Sequence, residues 1–92
     1  MLDPSVLIDM GVENTRQLEK HGPGAATNQD AVWNMILTEE VGEVAKEALT
    51  RCWSTFATSP DVTKRLYDEL IQVATVAAAW ATQLKEENPG VC

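Results

Sequence analysis

The sequence contains few of the residues that stabilise secreted domains or bind zinc. Its 92 residues include two cysteines, Cys52 and Cys92, and one histidine, His21. Two irregularly spaced cysteines are too few for a disulfide framework, and no Cys or His spacing is typical of a zinc site. These shortages favour a protein of the reducing cytoplasm.

Basic residues are also scarce. Lys and Arg number 7 against 14 Asp and Glu, so the net charge is 7 − 14 = −7 at pH 7. Because this charge repels nucleic acid and anionic membranes, neither is an expected partner. An anionic ligand would need a cation to mediate its binding.

Long hydrophobic runs are missing too. The longest stretch without a charge, from Leu70 to Leu84, has 15 residues and includes two glutamines, whereas a membrane-spanning helix needs ~20 apolar residues. The first residues, Met1 to Pro4, lack the basic segment and the apolar run of a signal peptide. With 45% hydrophobic residues, the composition predicts one soluble globular domain over residues 1–92.

The periodicity of the apolar residues predicts an all-α chain with three main helices. We expect the first helix from about Pro4 to Lys20, with Asp3 as its N-cap and the turn His21-Gly22-Pro23-Gly24 at its end. We expect the second helix to start between Asn28 and Asp30 and to end at about Trp53.

The third helix is expected to follow a linker, Ser54 to Pro60, and to continue to about Glu87 before Asn88-Pro89-Gly90 stops it. Between Leu70 and Leu84 it is apolar on every side, and such a helix must be surrounded. We therefore expect helices two and three of two subunits to form a four-helix bundle, in a homodimer or a dimer-of-dimers tetramer.

Acidic residues interrupt the apolar faces of the second and third helices. On a helical wheel of about 100° per residue, Glu40 lies in the stripe that contains Trp33 and Val44, and Glu69 lies in line with Val73. Burying a carboxylate is costly unless it is paired. These positions therefore predict a site that requires positive charge.

The spacing of the acidic residues is that of a chelate. Glu40 and Glu43 lie three residues apart on one helix, and Glu69 and Gln72 have the same spacing on the next. Mg²⁺ prefers oxygen ligands of this kind. The sequence therefore predicts a divalent cation between the two helices.

The alternative is that the acidic residues form an ordinary solvated helix face. Lys46 would then pair with Glu43, and Arg51 with Glu47, as i,i+3 and i,i+4 partners. In that case the carboxylates would need no metal ion.

Three segments resemble the MazG-like all-α nucleoside triphosphate pyrophosphohydrolases, in particular the compact members found in phages and mobile elements. Glu39-Glu40-Val41-Gly42-Glu43 matches the family's EExxE pattern. After 25 further residues, Glu69-Leu70-Ile71-Gln72 resembles its ExxD half, with Gln72 in place of the Asp. Upstream, Thr15-Arg16-Gln17-Leu18-Glu19-Lys20-His21-Gly22 is similar to the segment that precedes the acidic motif.

The resemblance implies hydrolysis of a nucleoside triphosphate to the monophosphate and pyrophosphate, with Mg²⁺ as cofactor or Mn²⁺ in its place. It implies Glu40, Glu43 and Glu69 as metal ligands with Gln72 as the fourth position. Glu39 would be a further ligand or the base that orients water. The candidate substrate-binding residues are Arg16, Gln17, Lys20, Lys46, Arg65 and Trp53.

Other residues have structural interpretations. Trp33 and Trp80 lie at apolar helix positions that are typical of a core, and Asn28 is interpreted as an N-cap rather than a contact to a base.

The rival function is a MazG-like helical oligomerisation or scaffold module that is catalytically weak or inactive because of Gln72. A ferritin-like di-iron site is excluded because the chain has no Glu-x-x-His pair, and a Walker-type site because it has no GxxxxGK[ST] loop. The sequence does not indicate which nucleotide is the substrate, since all candidates share the triphosphate end.

Overall fold

The computed structural model describes residues 1–22, 27–53 and 60–88, which form three α-helices and no strand. The helices are α1 (Pro4–His21), α2 (Asp30–Trp53) and α3 (Pro60–Glu87). The predicted all-α class is confirmed, and the helix bounds agree with the prediction within one or two residues. Of the predicted linker Ser54 to Pro60, residues 54–59 lie outside the described residues, and Pro60 is the first residue of α3. The turn residues 23, 24, 89 and 90 also lie outside the described residues.

The first helix begins at Pro4 as predicted and ends at His21, one residue later than predicted. Asp3 Oδ1 accepts hydrogen bonds from the Ser5 backbone N–H at 2.9 Å and from its hydroxyl at 2.8 Å, and Pro4 occupies the first helical position. At the other end, Gly22 adopts φ = 79° and donates its N–H to the Leu18 carbonyl at 2.8 Å. A residue with a Cβ rarely adopts this φ, which explains the glycine.

The second and third helices pack antiparallel. Trp33, near the start of α2, lies beside Gln83 near the end of α3, and Glu47 of α2 lies beside Arg65 near the start of α3. The first helix packs parallel to α3. Tyr67 of α3 donates to Asp9 of α1, and the groove between the two helices is also lined by Arg16 and Gln72, which lie further along each helix. The carboxylates that α2 and α3 turn toward each other therefore lie at mid-length, beside α1.

Gln83 fixes the start of α2 to the end of α3. Its buried amide oxygen accepts from the Asn28 backbone N–H at 2.9 Å and from the Trp33 indole N–H at 2.8 Å, and its amide N–H donates to the Asn28 carbonyl at 2.7 Å. Asn28 thus contacts α3 through its main chain. The residue next to α2 is Gln29, whose carbonyl accepts from residues 32 and 33, so the interpretation of Asn28 as the N-cap is wrong by one position.

The core of the single chain is small. Its buried apolar residues are Trp33, Val62 and Ile71, so the prediction that Trp33 belongs to the core is confirmed. Trp80 is half-buried and donates its indole N–H to Asp30 at 2.9 Å. Many large apolar side chains stay exposed, among them Leu7, Ile8, Met35, Val41, Leu49, Trp53, Leu70 and Leu84. In the described part of the chain, no helix combines the length and apolar character required to cross a membrane.

Candidate functional site

The two helices of the antiparallel pair each bring one glutamate to their shared interface. Glu40 of α2 and Glu69 of α3 are half-buried, and the Oε2 atom of each is buried without a hydrogen-bond partner among the described residues. The sequence places both glutamates in apolar stripes, and the antiparallel packing brings those stripes together. A buried carboxylate oxygen without a partner is unusual in a folded protein.

The electrostatics of the pair are unfavourable for two negative charges. Burial raises the pKa of Glu40 above its ordinary value, and the charges of Glu69, Glu39, Glu43 and Glu13 raise it further. Burial likewise raises the pKa of Glu69, with added contributions from Glu43 and other acidic neighbours. The nearby Glu40 carboxyl acts in the opposite direction on the Glu69 pKa, but the other causes outweigh it. The two carboxyls are therefore close enough to share one proton or one cation.

A glutamate of the first helix, absent from the predicted site, lies next to this pair. Glu13 is buried, with 9% of its surface exposed. Both of its oxygens accept from the Arg16 guanidinium at 2.7 Å, and Gln17 donates to one of them at 3.3 Å. The Arg16 hydrogen bond is the main reason why the pKa of Glu13 is lowered.

The Glu13–Arg16 pair reaches the carboxylates of the other helices. The charge of Glu13 raises the pKa of Glu40, and the charge of Glu40 in turn raises the pKa of Arg16. Glu13, Arg16 and Gln17 have i,i+3 and i,i+4 spacing, so the sequence indicates a pair on one face of α1. It does not indicate that this face turns toward Glu40, because that depends on tertiary packing.

The remaining acidic residues of the motif differ in their surroundings. Glu39 and Glu43 are exposed, and their charges act on Glu40. Glu47 accepts from Arg65 of α3 at 3.2 Å. The pairing of Glu47 with Arg51, which the solvated-face alternative requires, is therefore replaced by a contact between helices.

Gln72 lines a groove between α1 and α3 with a volume of about 570 Å³. Arg16 and Glu13 line the same groove from the α1 side. The structure thus brings two of the predicted residues, Arg16 and Gln72, to one cavity beside the glutamate pair. Gln17 contacts Glu13, and the charge of Lys20 lowers the pKa of Glu13, so both belong to the same region.

Two other predicted substrate-binding residues are placed differently. Trp53 is exposed at the last position of α2, which is about 20 Å along the helix from Glu40. Lys46 is exposed and forms no ion pair with another described residue. Neither Trp53 nor Lys46 contacts the Glu40–Glu69 pair.

The donor set suits a hard cation but is not a complete ligand cage. Two carboxylates with unpartnered buried oxygens are the ligands that Mg²⁺ prefers. Over residues 1–22, 27–53 and 60–88, no three Asp, Glu, Cys or His side chains are grouped tightly enough to hold one metal ion. A third protein ligand would require a side-chain rotation, for which the exposed Glu43, about one helical turn from Glu40, is a candidate.

No protein-family model, curated protein or solved structure matches the chain. The resemblance to the MazG-like family accordingly remains a prediction from the motif residues of α2 and α3.

Proposed function

We propose that the chain is a cytoplasmic Mg²⁺-dependent nucleoside triphosphate pyrophosphohydrolase, which converts a (d)NTP and water to the (d)NMP and pyrophosphate. The observation that supports this most directly is the pair Glu40 and Glu69, each with a buried carboxylate oxygen that has no partner. Burial raises the pKa of both carboxyls, and repulsion from acidic neighbours is a further cause. A divalent cation would relieve both penalties at once.

The protein ligands come from both helices of the antiparallel pair. Glu40 and Glu69 would hold Mg²⁺, or Mn²⁺ in its place, and Glu43 and Gln72 would supply oxygens from positions three residues further along each helix. Bound Mg²⁺ supplies the positive charge that allows carboxylates and phosphate oxygens to occupy one site. Gln72 would contribute a neutral amide oxygen, so this site would carry one negative charge less than a site with four carboxylates.

The other residues orient the reactants. Glu39 is exposed beside Glu40, where its carboxylate accepts a proton from the attacking water. The water oxygen forms the new bond to phosphorus, and the bond that links the monophosphate to the pyrophosphate breaks. Arg16, with Lys20 one turn further along α1, binds the phosphates. Arg65 is held by Glu47 and makes a smaller contribution.

The exposed apolar residues support a homodimer built through α2 and α3. Val41 and Leu70 are 50% and 48% exposed. Each lies about 100° around its helix from the inward-facing glutamate. Because α2 and α3 are antiparallel, Val41 and Leu70 lie on the same side of the helix pair, and Glu43 and Gln72 lie on the opposite side. A second copy that covers this face would complete a four-helix bundle.

The test is pyrophosphate release from a panel of canonical and modified nucleotides with Mg²⁺ or Mn²⁺. We expect turnover of at least one nucleotide, with activity lost in Glu40→Gln and in Glu69→Gln. The matched control is Glu86→Gln, an exposed position of α3. Circular dichroism would establish that the variants keep their helices.

A helical oligomerisation module is the second candidate, favoured by the exposed apolar face and by the uncharged Gln72. It predicts dimerisation without turnover and without calorimetric binding of any divalent ion. The same panel therefore separates the two functions.

A further inference from the structure

We infer that the groove between α1 and α3 holds the nucleoside part of the substrate and selects for a hydrogen-bond donor on it. The inference rests on the proposed nucleotide function and adds a location and a preference to it. The groove has a volume of about 570 Å³, which is within the range of small-molecule sites. Both of its walls are helices, so its geometry is set by rigid elements.

The two ends of the groove differ in their chemistry. Arg16 and Gln72 line the groove further along α1 and α3, and Asp9, Tyr67 and Lys64 line it nearer the start of both helices. Asp9 and Arg16 are seven residues apart on α1, which places them about 10 Å apart along the helix axis. A nucleotide can therefore extend from one end to the other.

The phosphates belong at the Arg16 end. The guanidinium of Arg16 is held by Glu13 through two hydrogen bonds of 2.7 Å, and it interacts with the charge of Glu40. Gln72 is one helical turn from Glu69. A triphosphate bound here lies beside the carboxylate pair, and its nucleoside points along the groove toward Asp9 and Tyr67.

The middle of the groove is apolar. Val12 on the α1 side is 64% exposed, and Ile71 forms the opposite wall with 7% of its surface exposed. Val12 is therefore open for contact with a ligand, whereas Ile71 is fixed in the core. The face of a base or a sugar fits between them.

The far end presents hydrogen-bond acceptors. The Tyr67 hydroxyl donates to Asp9 Oδ2, which commits the tyrosine proton to the carboxylate and raises the pKa of Tyr67 to about 12. The Lys64 ammonium donates to Asp68 at 2.8 Å, and because its side chain is 73% exposed, its other protons are hydrated. Asp9 keeps unused lone pairs, since a carboxylate accepts about four hydrogen bonds. The matching ligand group is a donor, either an amino group on the base or the ribose 2′-hydroxyl.

The experiment is a ¹⁵N–¹H NMR titration with α,β-imido analogues of dCTP, dUTP, CTP and UTP in the presence of Mg²⁺. We expect the largest shifts at the amides of Val12, Tyr67 and Ile71. A preference of about tenfold for dCTP over dUTP would assign the donor to the base amino group, and a similar preference for CTP over dCTP would assign it to the 2′-hydroxyl. Asp9→Asn should remove the preference, and Asp61→Asn, at an exposed position outside the groove, should leave it unchanged.

Several outcomes distinguish the groove from the proposed hydrolysis. Groove shifts together with the preference, but without turnover of the natural nucleotides, support the groove and contradict the hydrolase. Turnover combined with shifts elsewhere in the chain overturns the groove and leaves the hydrolase standing. Equal affinity for all four analogues, or no loss of affinity in Val12→Gln, also overturns it.

Discussion

Glu40 of α2 and Glu69 of α3 oppose one another at the interface of the two helices, and each keeps a buried carboxylate oxygen without a hydrogen-bond partner. Burial and repulsion from acidic neighbours raise the pKa of both carboxyls. The charged pair is thus a local cost to the stability of the metal-free chain, and anything that removes the charge should stabilise the fold.

The first prediction concerns the pH dependence of stability without metal. Because the folded-state pKa of Glu40 and Glu69 lies above the ordinary value of 4.5, the native state binds more protons than the unfolded state just above that value. The free energy of unfolding should therefore fall as pH rises through this window, so Tm in EDTA should increase from about pH 7.5 down to about pH 5. Below 4.5 the trend should reverse, since the lowered pKa of Glu13 makes its protonation destabilising.

Glu40→Gln tests the assignment of this trend to the pair. The variant should have a higher Tm than the parent at pH 7.5 in EDTA, and its Tm should vary less between pH 7.5 and 5. Glu86→Gln, at an exposed position of α3, should keep the pH dependence of Tm that the parent chain has. A parental profile in Glu40→Gln would contradict the assignment.

The second prediction is that Mg²⁺ stabilises the protein through the same pair. A ligand that binds only the native state at about 100 times its Kd adds about 2.7 kcal/mol to the free energy of unfolding. We expect a saturable rise in Tm with Mg²⁺ in the parent chain and none in Glu69→Gln. An equal rise in both proteins would indicate nonspecific screening of the charge of −7.

The third prediction concerns Gln83, which accepts from the Trp33 indole and from the Asn28 backbone at 2.8 and 2.9 Å. Gln83→Leu would leave these donors without an acceptor, and Trp33 is only 4% exposed. We expect a loss of about 3 kcal/mol in the free energy of unfolding, measured by urea denaturation. Thr82→Ala, which removes an exposed hydroxyl that bonds only within its helix, should cost less than about 0.5 kcal/mol.

The fourth prediction separates two roles for Glu13. If Glu13 positions Arg16 for the phosphates, Glu13→Gln weakens the charge-assisted pair and should raise KM about tenfold while kcat changes little. The affinity for Mg²⁺ should change little, because Glu13 is paired with Arg16 and its charge is the smallest of those that raise the pKa of Glu40.

A fall in Mg²⁺ affinity without a change in KM would instead make Glu13 a metal ligand. Isothermal calorimetry with Mg²⁺ and steady-state kinetics on the same preparation provide both measurements. The matched control is Glu19→Gln, which lies exposed on the same helix.

The helices could be predicted from the sequence because their ends are encoded locally. Asp3 and Gly22 form their capping hydrogen bonds with residues two and four positions away, so the ends of α1 are set by local contacts. The inward direction of Glu40 and Glu69 could be predicted for the same reason, since helical phase is a local property.

What the sequence did not indicate depends on how the helices pack. Glu13 becomes part of the site only because α1 lies along α3 and turns that face toward Glu40. Gln83, which stands in an uncharged run, joins α2 to α3 through a bond that spans 50 positions. The bond between Tyr67 and Asp9 likewise joins residues that are far apart in the chain.

The last prediction concerns assembly. The buried apolar set of one chain is small, while Val41 and Leu70 remain about half exposed on one side of the α2–α3 pair. A domain of this size buries too little surface to leave such a face in water without cost. We expect sedimentation analysis at micromolar concentration to give at least twice the chain mass of 10.1 kDa.

Leu70→Lys should shift this equilibrium toward the monomer, because a lysine in the covered face would lose its hydration without gaining a partner. Leu2→Lys is the matched control, since Leu2 is 73% exposed and precedes α1. Dissociation in Leu70→Lys alone would place the interface on the α2–α3 face. Dissociation in both variants would mean that the added positive charge, and not its position on the α2–α3 face, causes the dissociation. A parent chain that sediments as a monomer would contradict the four-helix bundle.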